Sequence, residues 1–170
     1  MNVEPKLEHR KEQPYVAVRA QVGIPFGELL GGFWSEANAF LADKGLAPSG
    51  PPFIRYLTTD MDKKLDIEVG FPVASKVDGN DRFASGVFPE GQYAVLLHLG
   101  HYDNLVAVTA EFLAWAEKNK ITWQTTINDG VEWWAGRIEW YPTDPDTEPD
   151  PQKWQTELAF LVKSNEQEFV

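Results

Sequence analysis

Two halves of this sequence repeat one another, and a duplicated unit fixes an architecture more firmly than local propensity does. The run Tyr15-Val16-Ala17-Val18-Arg19-Ala20 opens the first half and Tyr93-Ala94-Val95-Leu96-Leu97-His98-Leu99 the second, and each meets a glycine soon after its end, Gly23 and Gly100. Helical periodicity follows in both. Leu30, Phe33, Trp34, Ala37, Phe40 and Leu41 recur at helical spacing, as do Leu105, Val108, Phe112, Trp115 and Ala116. Gly45 and the Asn119-Lys120 pair are the expected stops, because glycine and asparagine tolerate the left-handed conformation that ends a helix. After each helix comes a pair of strands. Ile54–Asp60 aligns with Ile138–Asp144, and Leu65–Val73 with Trp154–Val162. The unit is therefore β-α-β-β, used twice, over about residues 12–75 and 90–163 of one 170-residue domain.

Between the paired strands the first half has the short turn Met61-Asp62-Lys63-Lys64, whereas the second has the loop 145–151, in which three prolines forbid ladder pairing. Further strands are expected around Phe83–Phe88 and Ile121–Trp123, and the polar tail 164–170 is expected to fray.

A chain of this length buries roughly two thirds of its unfolded surface, so it needs no staples. It has no cysteine, which excludes disulfides, thiolate metal sites and cysteine nucleophiles and fits a cytoplasmic address. The charged N-terminus holds no signal-peptide run, and no stretch reaches the ~20 apolar residues of a membrane span. A net charge of −11 opposes approach to a polyphosphate, so direct nucleic-acid binding is not expected; it favours cationic partners, and equally keeps a protein soluble. Seven tryptophans exceed what a core of this size normally uses, and some are expected to line a pocket.

Gly100-His101-Tyr102-Asp103-Asn104-Leu105, together with Glu139-Trp140-Tyr141, Thr143-Asp144-Pro145, Pro149-Asp150, Trp154 and Thr156-Glu157-Leu158, resembles the two signatures of GyrI-like small-molecule-binding domains, over roughly residues 12–163. The resemblance implies an α+β fold in which the duplicated β-α-β-β unit forms a curved antiparallel sheet, with two main helices on one face and a ligand channel on the other. Relatives of that kind include effector-binding domains of AraC-type and MerR-type regulators, gyrase inhibitors and hydrolases that open cyclopropane-bearing alkylating natural products. With about 14 residues ahead of the first repeat strand and no helix-turn-helix segment, a stand-alone form is expected and a transcriptional role is not carried over.

Strand alternation sorts the candidate side chains. Leu65, Ile67, Val69, Phe71 and Val73 share one apolar face and Trp154, Thr156, Leu158, Phe160 and Val162 the matching one, so the repeat-equivalent Glu68 and Glu157 point away from the helices. Glu139 and Tyr141 alternate with Arg137 on the preceding strand. These carboxylates and aromatic neighbours suit a flat organic cation, although glutamates at alternate positions are also ordinary on a solvated sheet face. The family resemblance implies a ligand-facing glutamate on the last strand, here Glu157. Trp133 and Trp134 invite stacking, but neighbours on a strand face opposite ways, so at most one enters the channel. Tyr102 either closes one end of it or packs at the strand-helix turn.

His98 and His101 lack a third ligand, and the acids 144, 146, 148 and 150 lack the mid-loop glycine of a calcium loop, so no metal is expected. No nucleotide fingerprint or serine elbow occurs, and no cofactor is expected. Three functions remain open: capture of a hydrophobic or cationic small molecule; hydrolysis of a strained electrophile by Glu157 with Tyr141; and a protein-interaction role of the gyrase-inhibitor type, with a homodimer also open.

Overall fold

The computed structural model describes residues 4–60 and 64–164; the expected Met61–Lys63 turn and residues 165–170 of the tail lie outside the described residues. The strands are β1 (Lys6–Arg10), β2 (Gln13–Val22), β3 (Phe53–Tyr56), β4 (Leu65–Pro72), β5 (Phe83–Phe88), β6 (Gly91–Leu99), β7 (Thr125–Asn128), β8 (Val131–Trp134), β9 (Arg137–Trp140) and β10 (Gln155–Leu161). The helices are α1 (Gly27–Asp43) and α2 (Leu105–Lys118), the latter preceded by a single 3-10 turn at Tyr102–Asn104. Eight strands form one curled antiparallel sheet in the order β1-β6-β10-β9-β3-β4-β2-β5, and β7 and β8 form a separate hairpin.

That order is symmetric about the β9–β3 pairing. The repeat is fuller than β-α-β-β, because a leading strand opens each half: β1 runs through a short turn into β2, and β5 into β6. Each leading strand crosses to the other half. Lys6 lies opposite Val95, and its counterpart Ala84 lies opposite Ala17, the repeat equivalent of Val95. The charged segment 6–10 thus forms an edge strand, which its composition concealed and which suits an edge. The strand expected around Ile121–Trp123 is only an isolated bridge between Trp123 and Val162, and the added hairpin begins at Thr125.

Both helices stop where expected, by one mechanism, although in the second it is Lys120 and not Asn119 that turns left-handed. Leu46 N–H donates to Leu41 O and Gly45 N–H to Ala42 O, with Gly45 at φ 71°, and Ile121 to Ala116 with Lys120 to Glu117 repeats the pattern with Lys120 at φ 59°. These paired bonds satisfy carbonyls the helix leaves open.

Helix α1 covers Ile54, Leu65, Ile67 and Val69 through Leu30, Phe33 and Trp34, while α2 covers Leu96, Leu158 and Phe160 through Val108 and Phe112. The opposite, inner side of the curl is filled as well. Tyr15, Phe53, Phe88, Tyr93 and Ile138 cluster there, with Tyr15 and Phe88 stacked at 4.3 Å.

Candidate functional site

Glu139 is set by register. It lies directly opposite Leu158 on one side and Ile54 on the other, and residues directly opposite on antiparallel strands share a face. Leu158 and Ile54 both lie under the helices, so Glu139 faces the helices too, and Glu157, one residue from Leu158, points to the inner side. Glu139 therefore does not share a face with Glu157, which corrects the alignment drawn from sequence. In the structure Tyr56 corresponds to Tyr141 and Ile54 to Glu139, whereas matching the two isoleucines, Ile54 and Ile138, is one residue out. A slip of one residue reverses every side chain.

Between the first turns of α1 and α2 lies a cavity of about 380 Å³. Its floor is Ile54, Tyr56, Leu65, Arg137, Glu139 and Tyr141; the loop into α1 supplies Ile24, Pro25 and Phe26, and α2 supplies Leu105, Val106 and Thr109. Ile24 and Val106 at the rim are 54% and 79% exposed, an apolar lip on an open mouth. Tyr102 also lines the cavity, stacked on Trp154 at 4.9 Å and edge-on to Tyr141 at 5.6 Å. Trp154 in turn donates its indole N–H to Glu148 O at 2.8 Å, tying the acidic loop beneath this wall.

Glu139 is 8% exposed, yet among the described residues no basic group stands within ion-pair distance of it. Two phenols compensate in part. Tyr141 donates to Glu139 Oε1 at 2.6 Å and Tyr56 donates to the same oxygen at 3.0 Å. Burial nevertheless dominates, holding the carboxyl above its ordinary range against these bonds and the more distant charge of Arg137. Desolvation and the neighbouring carboxylate push both phenols up as well, so they remain donors. The Arg137 guanidinium carbon lies over Trp134 and Phe160, at 4.6 and 4.8 Å from the ring centres, and burial lowers its pKa.

The inner face holds the two other candidate glutamates. Tyr15 donates to Glu68 Oε1 at 2.5 Å, Arg55 bonds both groups at 2.6 and 3.1 Å, and Arg55 also reaches Ala135 O at 2.8 Å. Glu68 is 5% exposed, so it belongs to a closed ion-pair network and not to a solvated surface. Glu157 receives Arg10 Nη1 at 2.7 Å and lines an open cleft of about 520 Å³ with Trp140, Pro51 and Pro72. Tyr141 and Glu157 thus stand on opposite sides of the sheet, which separates the pair considered for joint hydrolysis. Trp134 is 7% exposed beneath Arg137 and Trp133 sits on the β7–β8 hairpin; neither lines the helix-side cavity.

The structure therefore brings Glu139, Tyr141 and Tyr102 together and adds Tyr56, which the correct repeat register would have revealed as the partner of Tyr141. Phe26 and Ile24 carried no signal, since loop aromatics and aliphatics have no period. His101 accepts from Asp103 N–H at 3.0 Å and caps the 3-10 turn, while Asp144 and Asp150 accept from Asp146 and Gln152 N–H. Among the described residues, no group of three His, Cys, Asp or Glu could hold a metal, and no helix is long and apolar enough to cross a membrane.

The family model for the GyrI-like small molecule binding domain matches residues 3–163. The chain belongs to this family. Among solved structures, that of the EcmrR C-terminal domain is similar at 20% identity and TM-score 0.68, covering 95% of this chain and 98% of that one. In an EcmrR–DNA complex the TM-score is 0.76 at 19% identity, with 95% of this chain covered, and the chain spans 57% of that protein. SAV2435 bound to tetraphenylphosphonium matches at 15% identity and TM-score 0.60 over 98% of both chains. A hydrolase from Listeria innocua matches at 17% identity and TM-score 0.60, over 94% of this chain and 92% of that one. At these identities the likeness is one of fold. A comparison with curated protein sequences returns no match.

Proposed function

We propose that this GyrI-like domain captures lipophilic organic cations in the cavity between the first turns of α1 and α2, with Glu139 as their counter-charge. One observation carries the reading: a carboxylate lies on the floor of a largely apolar cavity, at the position where the other repeat has Ile54. Folding gains nothing from a charge there, whereas a cationic ligand does. At an effective dielectric of about 20, two unit charges roughly 5 Å apart attract by about 3 kcal/mol. The cavity volume falls in the range of small-molecule sites, and its tyrosines and Phe26 offer ring faces to a cation. The SAV2435 complex, in which the same fold holds a lipophilic cation, supports the reading.

Calorimetry tests it. Tetraphenylphosphonium should bind the wild type and lose roughly tenfold to a hundredfold in affinity with Glu139→Gln, whereas neutral triphenylphosphine oxide should bind both proteins alike. Equal affinity of both proteins for the cation would leave the carboxylate without a part in binding. Cation binding also favours ionised Glu139, so it should release a proton at acid pH, and affinity should rise with pH until Glu139 is ionised in the free protein.

One feature favours a second reading, hydrolysis. A desolvated carboxyl with a raised pKa beside two phenols is equipped for general acid-base work, and a protein named as a hydrolase shares the fold. Mass spectrometry of a cyclopropane-bearing alkylator incubated with wild type and Glu139→Gln decides this, through opened product in the first and none in the second.

A further inference from the structure

Arg137 is the second charge on the cavity floor, and the binding of a simple cation leaves it unexplained. Its guanidinium is always protonated and carries five N–H donors in its own plane. Trp134, Phe160 and, at 5.9 Å, Tyr56 hold its charge by cation–π contact, which does not satisfy N–H donors as an acceptor oxygen would. Among the described residues its guanidinium forms no hydrogen bond or ion pair, and Nε is closed off from solvent without a partner. Buried donors are almost always paired, so a largely buried guanidinium without an acceptor is a site awaiting one. Arg55 on the inner face shows the contrast: its Nε is likewise unpartnered, but its Nη atoms bond a carboxylate, a phenol and a carbonyl.

The charge balance points the same way. With Glu139 ionised and Arg137 protonated the floor is neutral, so a monocation drawn to the one is repelled by the other. The first turn of α1 borders the cavity and has no side-chain N-cap, so partial positive charge faces the same space. An acceptor oxygen on the ligand answers all three features at once.

We propose that this cavity is built for an amphoteric aromatic ligand, one whose cationic centre rests over Glu139 while a carboxylate or similarly strong acceptor oxygen pairs with Arg137. The two side chains alternate on β9, so their anchor points are roughly 7 Å apart along the strand, and the ligand's two charged groups are separated by a comparable distance. This rests on the cation-binding reading above and narrows it from lipophilic cations in general to those bearing an anionic group.

Tetramethylrhodamine and its methyl ester form the matched probe pair: both carry the same delocalised cation, and only the first adds a free carboxylate. Fluorescence anisotropy should show the wild type binding the free acid about tenfold more tightly than the ester or better. Arg137→Met should abolish that preference by weakening the acid alone, with the ester unchanged or tighter. Arg137→Lys, which keeps charge and stem, should restore part of it, and with the wild-type ratio it keeps the test decisive should Arg137→Met fail to fold by circular dichroism. Equal wild-type affinity for acid and ester overturns the proposal, and so does an Arg137→Met variant that weakens both probes equally, which would reduce Arg137 to packing on Trp134 and Phe160. If Glu139→Gln weakens both probes while the acid-ester ratio is flat, the amphoteric assignment alone falls. Insensitivity of both probes to Glu139→Gln, or binding of neither, sinks the cation-binding reading with it.

Discussion

Glu139→Gln should make the ligand-free protein more stable, and the gain should depend on pH in a defined way. Glu139 is buried, accepts two phenol bonds on one oxygen and has no close basic partner among the described residues, so its folded pKa stands above the ordinary value of 4.5. For an acid with a raised folded pKa, the folded state holds the proton more tightly. Stability is therefore undiminished below about the unfolded pKa, falls as pH rises toward the folded value and stays reduced above it; a tenfold difference in proton affinity between the two states is worth about 1.4 kcal/mol. Gln keeps the volume and an oxygen for Tyr56 and Tyr141 while removing the charge. Relief of a buried charge that hydrogen bonds only partly compensate is on the order of 1–2 kcal/mol, or roughly 2–8 °C in Tm for a domain of this size. Urea denaturation of both proteins from pH 3.5 to 8, a range set by that ordinary value, checks it: the difference should vanish at the acid end and reach its plateau near neutrality. A variant less stable than wild type across the range, or a difference independent of pH, would refute the idea that the cavity floor holds a destabilising charge.

Glu157→Gln should leave tetraphenylphosphonium affinity within about twofold and cost no more than about 1 kcal/mol of stability, because it removes only a partly exposed bridge to Arg10 on the opposite face; calorimetry and denaturation read the two effects. Arg55→Met should cost about 3–5 kcal/mol in the same denaturation assay, since it leaves Glu68 buried without its cation. Lys120→Gly should stabilise by about 0.5–1 kcal/mol, because Lys120 adopts the left-handed conformation that Gly45 supplies in the other repeat.

Much of this fold was legible because periodicity and punctuation agreed. Apolar alternation put Leu65, Ile67 and Val69 beneath α1 and Glu68 away from it, and the matching of Tyr15 with Tyr93 set the two halves in register, as the sheet shows. Two things were hidden. Lys6–Arg10 carries four basic or acidic side chains, a pattern that reads as solvated chain because an edge strand gains its order from a partner distant in sequence. The site itself turned on one residue: Ile54 looks like Ile138, yet the backbone matches it with Glu139, and the substitution of a carboxylate for an isoleucine is what erased the signal. Arg137 was visible by alternation with Glu139, but its lack of an acceptor follows only from three-dimensional packing. The Trp133-Trp134 pair drew attention by composition, whereas its place on an added hairpin beside the site is a matter of topology.

A crystal structure with a bromine-substituted tetraphenylphosphonium, located by its anomalous signal, decides which side of the sheet holds the ligand. The cation should lie between the first turns of α1 and α2, over Glu139 and against Tyr56, Tyr102 and Tyr141. Anomalous density instead in the cleft beside Trp140 and Glu157, with the helix-side cavity vacant, would contradict the assignment of Glu139 as the counter-charge.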